Sequence, residues 1–159
     1  MKDFRERGFT LVEIMIVVVI IGIMAALAIP NLRPLFKKDK LRTSTSSVTS
    51  SLYLARTKSV NDGRPYGVKF ETGGRFYVVN KPGTTPDWRS KPFILEDGVS
   101  IVSNNFVSGI AIFNEYGQLD KSCLPTGVLT GTIILTAGAL DSTRVDVMFI
   151  SGRIRETNL

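Results

Sequence analysis

From Ile14 to Ile29 the chain runs for sixteen residues without a charged side chain, and most of them are Ile, Val, Met, Leu or Ala. Phe9, Thr10, Leu11, Val12 and a single acid, Glu13, stand directly before this run. At about 1.5 Å per residue, a helix over 9–29 is about 32 Å long, the hydrocarbon thickness of a bilayer. The block takes a large part of the chain's apolar content, leaving residues 30–159 as a modest, more polar sequence of a length that suits one compact domain.

Charge and chemistry narrow the function further. Twenty basic and fourteen acidic residues give a net charge of +6, which keeps a protein soluble but is not the dense basic footprint of a dedicated nucleic-acid binder. Histidine is absent, so the commonest general base and transition-metal ligand is missing. With one cysteine, Cys123, no internal disulfide and no cysteine-based zinc site can form. There is no Gly-rich phosphate loop and no metal-ligand spacing. Asp141 and Asp146 lack the loop spacing that calcium needs, Glu96-Asp97-Gly98 reads as a solvated turn, and Cys123 reads as an incidental thiol. The expectation is a protein that is not an enzyme and uses no metal or cofactor.

Three readings of the apolar run compete. Lys2, Arg5 and Arg7 precede it and Arg33, Lys37, Lys38, Lys40 and Arg42 follow it, so flanking charge gives little guidance on orientation. Ala26-Leu27-Ala28 has the small-x-small form of an ordinary signal-peptide site. A plain membrane anchor is the second reading, with Glu13 tolerated near one end. Against both stands the cost of an acid in an apolar segment, about 2.5–3.5 kcal/mol at a helix centre.

The third reading rests on the order Arg7-Gly8-Phe9-Thr10-Leu11-Val12-Glu13 followed by the unbroken run, which resembles the processing site of type IV prepilins and type II secretion pseudopilins. The resemblance covers Arg7 to about Leu35, including Gly22 and Pro30; Pro34 departs from the pattern. It implies that residues 1–8 are a leader removed by a prepilin peptidase between Gly8 and Phe9, with methylation of the new amine. It also implies that Phe9–Ile29 is both a membrane span and a filament-core helix. Glu13 becomes the fifth residue of the mature chain. There the helix dipole favours a carboxylate by only a few tenths of a kcal/mol, so burial in lipid asks for a cationic partner such as the Phe9 amine of a neighbouring subunit. Gly22 and Pro30 are the expected weak points of the helix, through backbone freedom and a missing amide hydrogen respectively.

Beyond Pro34, Leu41, Val48, Leu52 and Ala55 recur at helical spacing and predict an amphipathic helix over 30–60. Eight of the nine residues from Thr43 to Ser51 are Ser or Thr, a composition that also suits a linker. Asn61-Asp62-Gly63 supplies a stop. Over 61–159 the period changes to two. Tyr66–Glu71 and Arg75–Val79 flank Thr72-Gly73-Gly74 as a hairpin, and the Pro-rich stretch from Lys81 to Pro92, which holds Trp88, reads as a loop. Apolar runs at 93–95, 99–102, 110–113, 131–136 and 144–150 complete six or seven strands. The fold class is α+β, a long N-terminal helix packed on an antiparallel β-sheet or sandwich.

This half resembles the H-type pseudopilins and the FimT/FimU-like minor pilins through Leu54-Ala55-Arg56, Phe113-x-x-x-Gly117, Gly131-Thr132-Ile133-Ile134-Leu135 and Ser151-Gly152-Arg153-Ile154-Arg155. A lone cysteine cannot close the C-terminal disulfide loop common in major pilins, which tilts the reading to a minor subunit. The resemblance places the chain in a bacterial inner membrane, with its C-terminal domain periplasmic, and then in a filament beside other pilin or pseudopilin subunits. Arg144, Arg153 and Arg155 offer a thin patch for nucleic acid, so a DNA-receptor pilin is an alternative reading. An ordinary secreted or anchored β domain is the other.

Overall fold

The computed structural model describes residues 9–71, 74–80, 89–138 and 141–159, and of 28–34 the backbone alone. The leader 1–8 with Gly8, the hairpin tip Thr72-Gly73, and Trp88 with most of its loop therefore lie outside the described residues.

Helix α1 spans Leu11–Asp62, and its assignment continues through Pro30, Pro34 and the Ser/Thr tract. The tract is helix and not linker because its small side chains serve the buried face. Ser44, Thr45 and Ser51 are almost fully buried. The Thr45 hydroxyl donates to the Leu41 carbonyl at 2.8 Å and that of Ser51 to the Val48 carbonyl at 2.7 Å, so burial leaves those hydroxyls satisfied. α1 ends in a Schellman-type turn. Gly63 takes φ +58°, a conformation costly for other residues, and the Arg64 amide donates back to the Ser59 carbonyl at 3.2 Å.

The chain divides into two compact units, Met1–Phe36 and Lys37–Leu159. In the second, β1 (Tyr66–Phe70), β2 (Arg75–Asn80), β3 (Phe93–Ile94) and β5 (Ile110–Phe113) form one antiparallel sheet in the order β3-β2-β1-β5. β4 (Ser100–Asn104), β6 (Thr130–Thr136), β7 (Ser142–Met148) and β8 (Ile154–Asn158) form another in the order β4-β6-β7-β8. One apolar core joins both sheets to α1. It includes Val48, Leu52 and Ala55 from the helix, Val68, Phe76, Val78 and Phe113 from the first sheet, and Ile133, Leu135, Val145 and Val147 from the second. The expected α+β fold is thus present, in its two-sheet form.

Two details correct the sequence reading. There are eight strands among the described residues, where the apolar runs predict six or seven. The extra one is β8, Ile-Arg-Glu-Thr-Asn, an edge strand with a single apolar residue; Ile154 is buried opposite Val147 and the rest is polar. The run at 144–150 is β7 displaced by two residues, because Phe149 and Ile150 enter the turn that leads to β8.

Candidate assembly site

At the start of α1, Thr10 is the N-cap: its Oγ1 accepts from the Glu13 amide at 3.2 Å. Thr10-x-x-Glu13 has the form of a capping box, in which the hydroxyl satisfies one of the helix's orphan amides. The pattern is visible in the sequence, but Thr10 carries no signal of its own until the start of the helix is fixed. Glu13 stands in the first turn, four residues from Phe9, which is 79% exposed.

From this cap onward the usual pattern of burial is absent. Every large apolar side chain from Leu11 to Leu27 is at least 45% exposed, the lowest being Val17. Apolar residues occupy all sides of the helix, which is the signature of a segment buried by lipid or by other helices. Among the described residues no helix is long and apolar enough to cross a membrane; Ala28 and Ile29, which close the run, are among those whose side chains are not described. Gly22 lies in open space, with no atom within 4 Å of where a Cβ would sit. Only the backbone of Pro30 is described, and it is helical.

The three candidate nucleic-acid contacts, Arg144, Arg153 and Arg155, fall on β7, on the approach to β8, and on β8. Arg144 Nε is 3.0 Å from Asp146 Oδ2, and Asp146 pairs across the strands with Arg155. Arg144 and Arg155 therefore share the outer face of the sheet with an acid between them, an arrangement that dilutes positive charge.

A junction that spacing alone does not reveal unites the looser motifs of the β half. Arg56 on α1 donates from Nε to the Gly117 carbonyl at 3.0 Å and from an Nη to the Ser151 carbonyl at 3.1 Å. Gly117 lies in the loop after β5 and Gly152 in the turn before β8. A Cβ on Gly152 would strike the Gly117 carbonyl, and one on Gly117 would crowd Val60 at 3.0 Å. The two glycines let two loops close on one guanidinium, which ties the helix to both sheets. Gly131 is likewise required, since a Cβ there would enter the Phe106 ring.

Comparison with known proteins agrees with this geometry. Residues 3–29 match the prokaryotic N-terminal methylation motif. The chain is 38% identical over 89 residues to the type II secretion system core protein G of Dickeya chrysanthemi, a match covering 55% of this chain and 56% of that protein, so it spans just over half of that relative's length. It is 28% identical over 127 residues to the type II secretion system protein H of Escherichia coli K12, covering 79% and 73% of the two chains. None of these names is that of an enzyme. Among solved structures, the minor pseudopilin EpsH of the Vibrio cholerae type 2 secretion system superposes with a TM-score of 0.57 at 12% identity, over 75% of this chain and 97% of that one. The type IV minor pilin FimU of Pseudomonas aeruginosa superposes with a TM-score of 0.59 at 14% identity, over 78% and 92%. This chain carries the prokaryotic N-terminal methylation motif at its start, is similar in sequence to the type II secretion system proteins G and H, and shares the α+β fold of the minor pseudopilin EpsH and the minor pilin FimU over about three quarters of its length.

Proposed function

We propose that the protein is a minor pilin or pseudopilin, a structural subunit of a type IV pilus or type II secretion filament. In this reading a prepilin peptidase cuts between Gly8 and Phe9 and methylates the new amine. The subunit waits in the bacterial inner membrane with its β domain on the periplasmic side. It then enters the filament through Phe9–Ile29, with Glu13 pairing with the Phe9 amine of a neighbour and the Gly22–Pro30 stretch taking up strain. The observation that carries the reading is the contrast between a domain with its own closed core and an apolar helix exposed on every side. The carboxylate of Asp146, which pairs with Arg144 and lies opposite Arg155, weighs against the DNA-receptor alternative, because nonspecific binding requires several uncompensated phosphate contacts.

Mass spectrometry of the mature N-terminus tests the reading. The expected product begins at Phe9 with a methylated amine, and Gly8→Val retains the leader. A native start at Ile29 would overturn it in favour of ordinary signal cleavage. In the same membranes, Glu13→Leu is expected to be cleaved and to accumulate like the parent but to recover few partner subunits. Glu13→Asp should be intermediate. Thr10→Ala separates the cap from the carboxylate, since it removes the hydroxyl acceptor, at a cost of about 1 kcal/mol, while leaving the charge in place.

A further inference from the structure

Lys37, Lys38, Lys40 and Arg42 open the second compact unit; all four are exposed, and Asp39 is the one acid among them. Leu41, inside the same cluster, is 6% exposed, so this turn of α1 is already packed on the domain while its cations face outward. Lys40 Nζ donates to the main-chain carbonyl oxygen of Asp97 at 3.1 Å, which places Lys40 beside the acidic Glu96-Asp97 turn. Among the described residues no carboxylate forms an ion pair with Lys37, Lys38 or Arg42. In the sequence, Leu35 and Phe36 come directly before the cluster, 57% and 62% exposed, and the uncharged run ends at Leu32, five residues before Lys37, with Arg33 between.

Apolar run, then an exposed aliphatic and aromatic pair, then a dense group of cations: this order suits passage from acyl chains through the interface to a charged headgroup layer. The spread of the cations decides between a lipid surface and a protein face. At 3.6 residues per turn, Lys38 and Lys40 point about 200° apart around the helix axis. One partner protein would meet only some of them. A headgroup layer spread around the sides of the helix that the domain leaves open meets all four.

We propose that Lys37, Lys38, Lys40 and Arg42 form a collar that binds anionic phospholipid headgroups on the membrane face that carries the β domain. The inference rests on the membrane-inserted subunit proposed above. The collar holds the unassembled subunit at a defined depth, and entry into a filament requires release of these lipids.

The test uses the mature full-length chain, transferred from detergent into vesicles of phosphatidylcholine alone or with about a third phosphatidylglycerol, with the bound fraction read by flotation. Each basic residue near an anionic surface contributes about fivefold, or about 1 kcal/mol. The parent is expected to favour the anionic vesicles by well over tenfold, and about 0.5 M salt to remove most of that preference. K37Q/K38Q/R42Q should lose at least tenfold of the preference, with unchanged circular dichroism and unchanged binding to neutral vesicles. Equal binding of the parent to both vesicle types overturns the collar, as does a triple variant that keeps the preference. A variant that keeps its lipid preference but fails to recover partner subunits also overturns it, in favour of a protein contact. Failure of the parent to enter neutral vesicles is a different result, which removes the membrane-inserted reading itself.

Discussion

Two stretches of the same helix treat polarity in opposite ways. Between Leu11 and Leu27 apolar side chains are exposed throughout, whereas between Ser44 and Ser59 the polar residues Ser44, Thr45, Ser51 and Ser59 are buried beside Val48, Leu52 and Ala55. The second stretch has its partner within the chain. Its small hydroxyls allow the sheets close to the helix, and those of Thr45, Ser51 and Ser59 donate to carbonyls of their own helix. The first has no partner within the described residues, and in the function proposed above lipid or another subunit covers it. Burial along α1 therefore follows the location of the covering surface more closely than it follows hydrophobicity.

The sharpest way to break that comparison is to make the same kind of truncation in both stretches. Leu52→Ala removes a fully buried side chain and should cost about 2–5 kcal/mol in a denaturant titration of the full chain in mild detergent. Ile20→Ala, 51% exposed, should leave that midpoint within about 0.5 kcal/mol and act instead on recovery of partner subunits. Comparable losses of stability in both variants would mean that the apolar stretch is covered within the monomer. Glycines give a smaller effect of opposite sign. Gly152→Val pushes a side chain into the Gly117 carbonyl and should lower stability by about 3 kcal/mol, or roughly 10 °C in Tm. Gly22→Ala meets nothing and should add up to about 1 kcal/mol of helix propensity, seen as a gain in helicity in micelles.

The smallest expected effect is a pH dependence that belongs to the β domain alone. The Tyr66 hydroxyl donates to Asp62 Oδ2 at 2.7 Å, and this bond, followed by burial and the nearby negative charge, raises its pKa above 10.0. The folded chain then holds a proton that the unfolded chain releases. The resulting stability is fully present below pH 10.0 and is lost as pH rises through the folded value. Tyr66→Phe should remove about 1 kcal/mol at neutral pH and flatten the alkaline limb of the stability curve. An unchanged alkaline limb would show that the Asp62 bond does not govern this ionisation.

What the sequence made legible depended on whether a residue's role is local. Leu41, Val48, Leu52 and Ala55 declare a helical face by spacing, and all four are buried. The hairpin of β1 and β2 shows in its alternation and pairs as expected. Glu13 draws notice as an acid beside an apolar run, whereas its cap, Thr10, is an ordinary threonine until the helix start is known. β8 could not be read, because an edge strand needs only one inward residue and carries charges elsewhere. The Ser/Thr tract misleads in the other direction, since helix propensity is a weak term beside the fit of small side chains under a sheet. Arg56, Gly117 and Gly152 appear in sequence order as fragments of separate motifs. Their convergence is a tertiary fact with no periodic trace.

The bond from Thr49 on α1 to Glu156 on β8, at 2.6 Å, joins residues 107 positions apart, and Arg56 reaches forward 61 and 95 positions to Gly117 and Ser151. A ribosome delivers the helix first and these acceptors last. While the strands are still being synthesised, the inner face of the helix has nothing to cover it, and closing a loop of about a hundred residues costs on the order of 4 kcal/mol in chain entropy before the core returns any stability. The domain therefore finishes folding only after residues 150–158 have emerged, long after the apolar stretch at the other end has left the ribosome. The order of synthesis places commitment of that stretch to its destination ahead of closure of the domain.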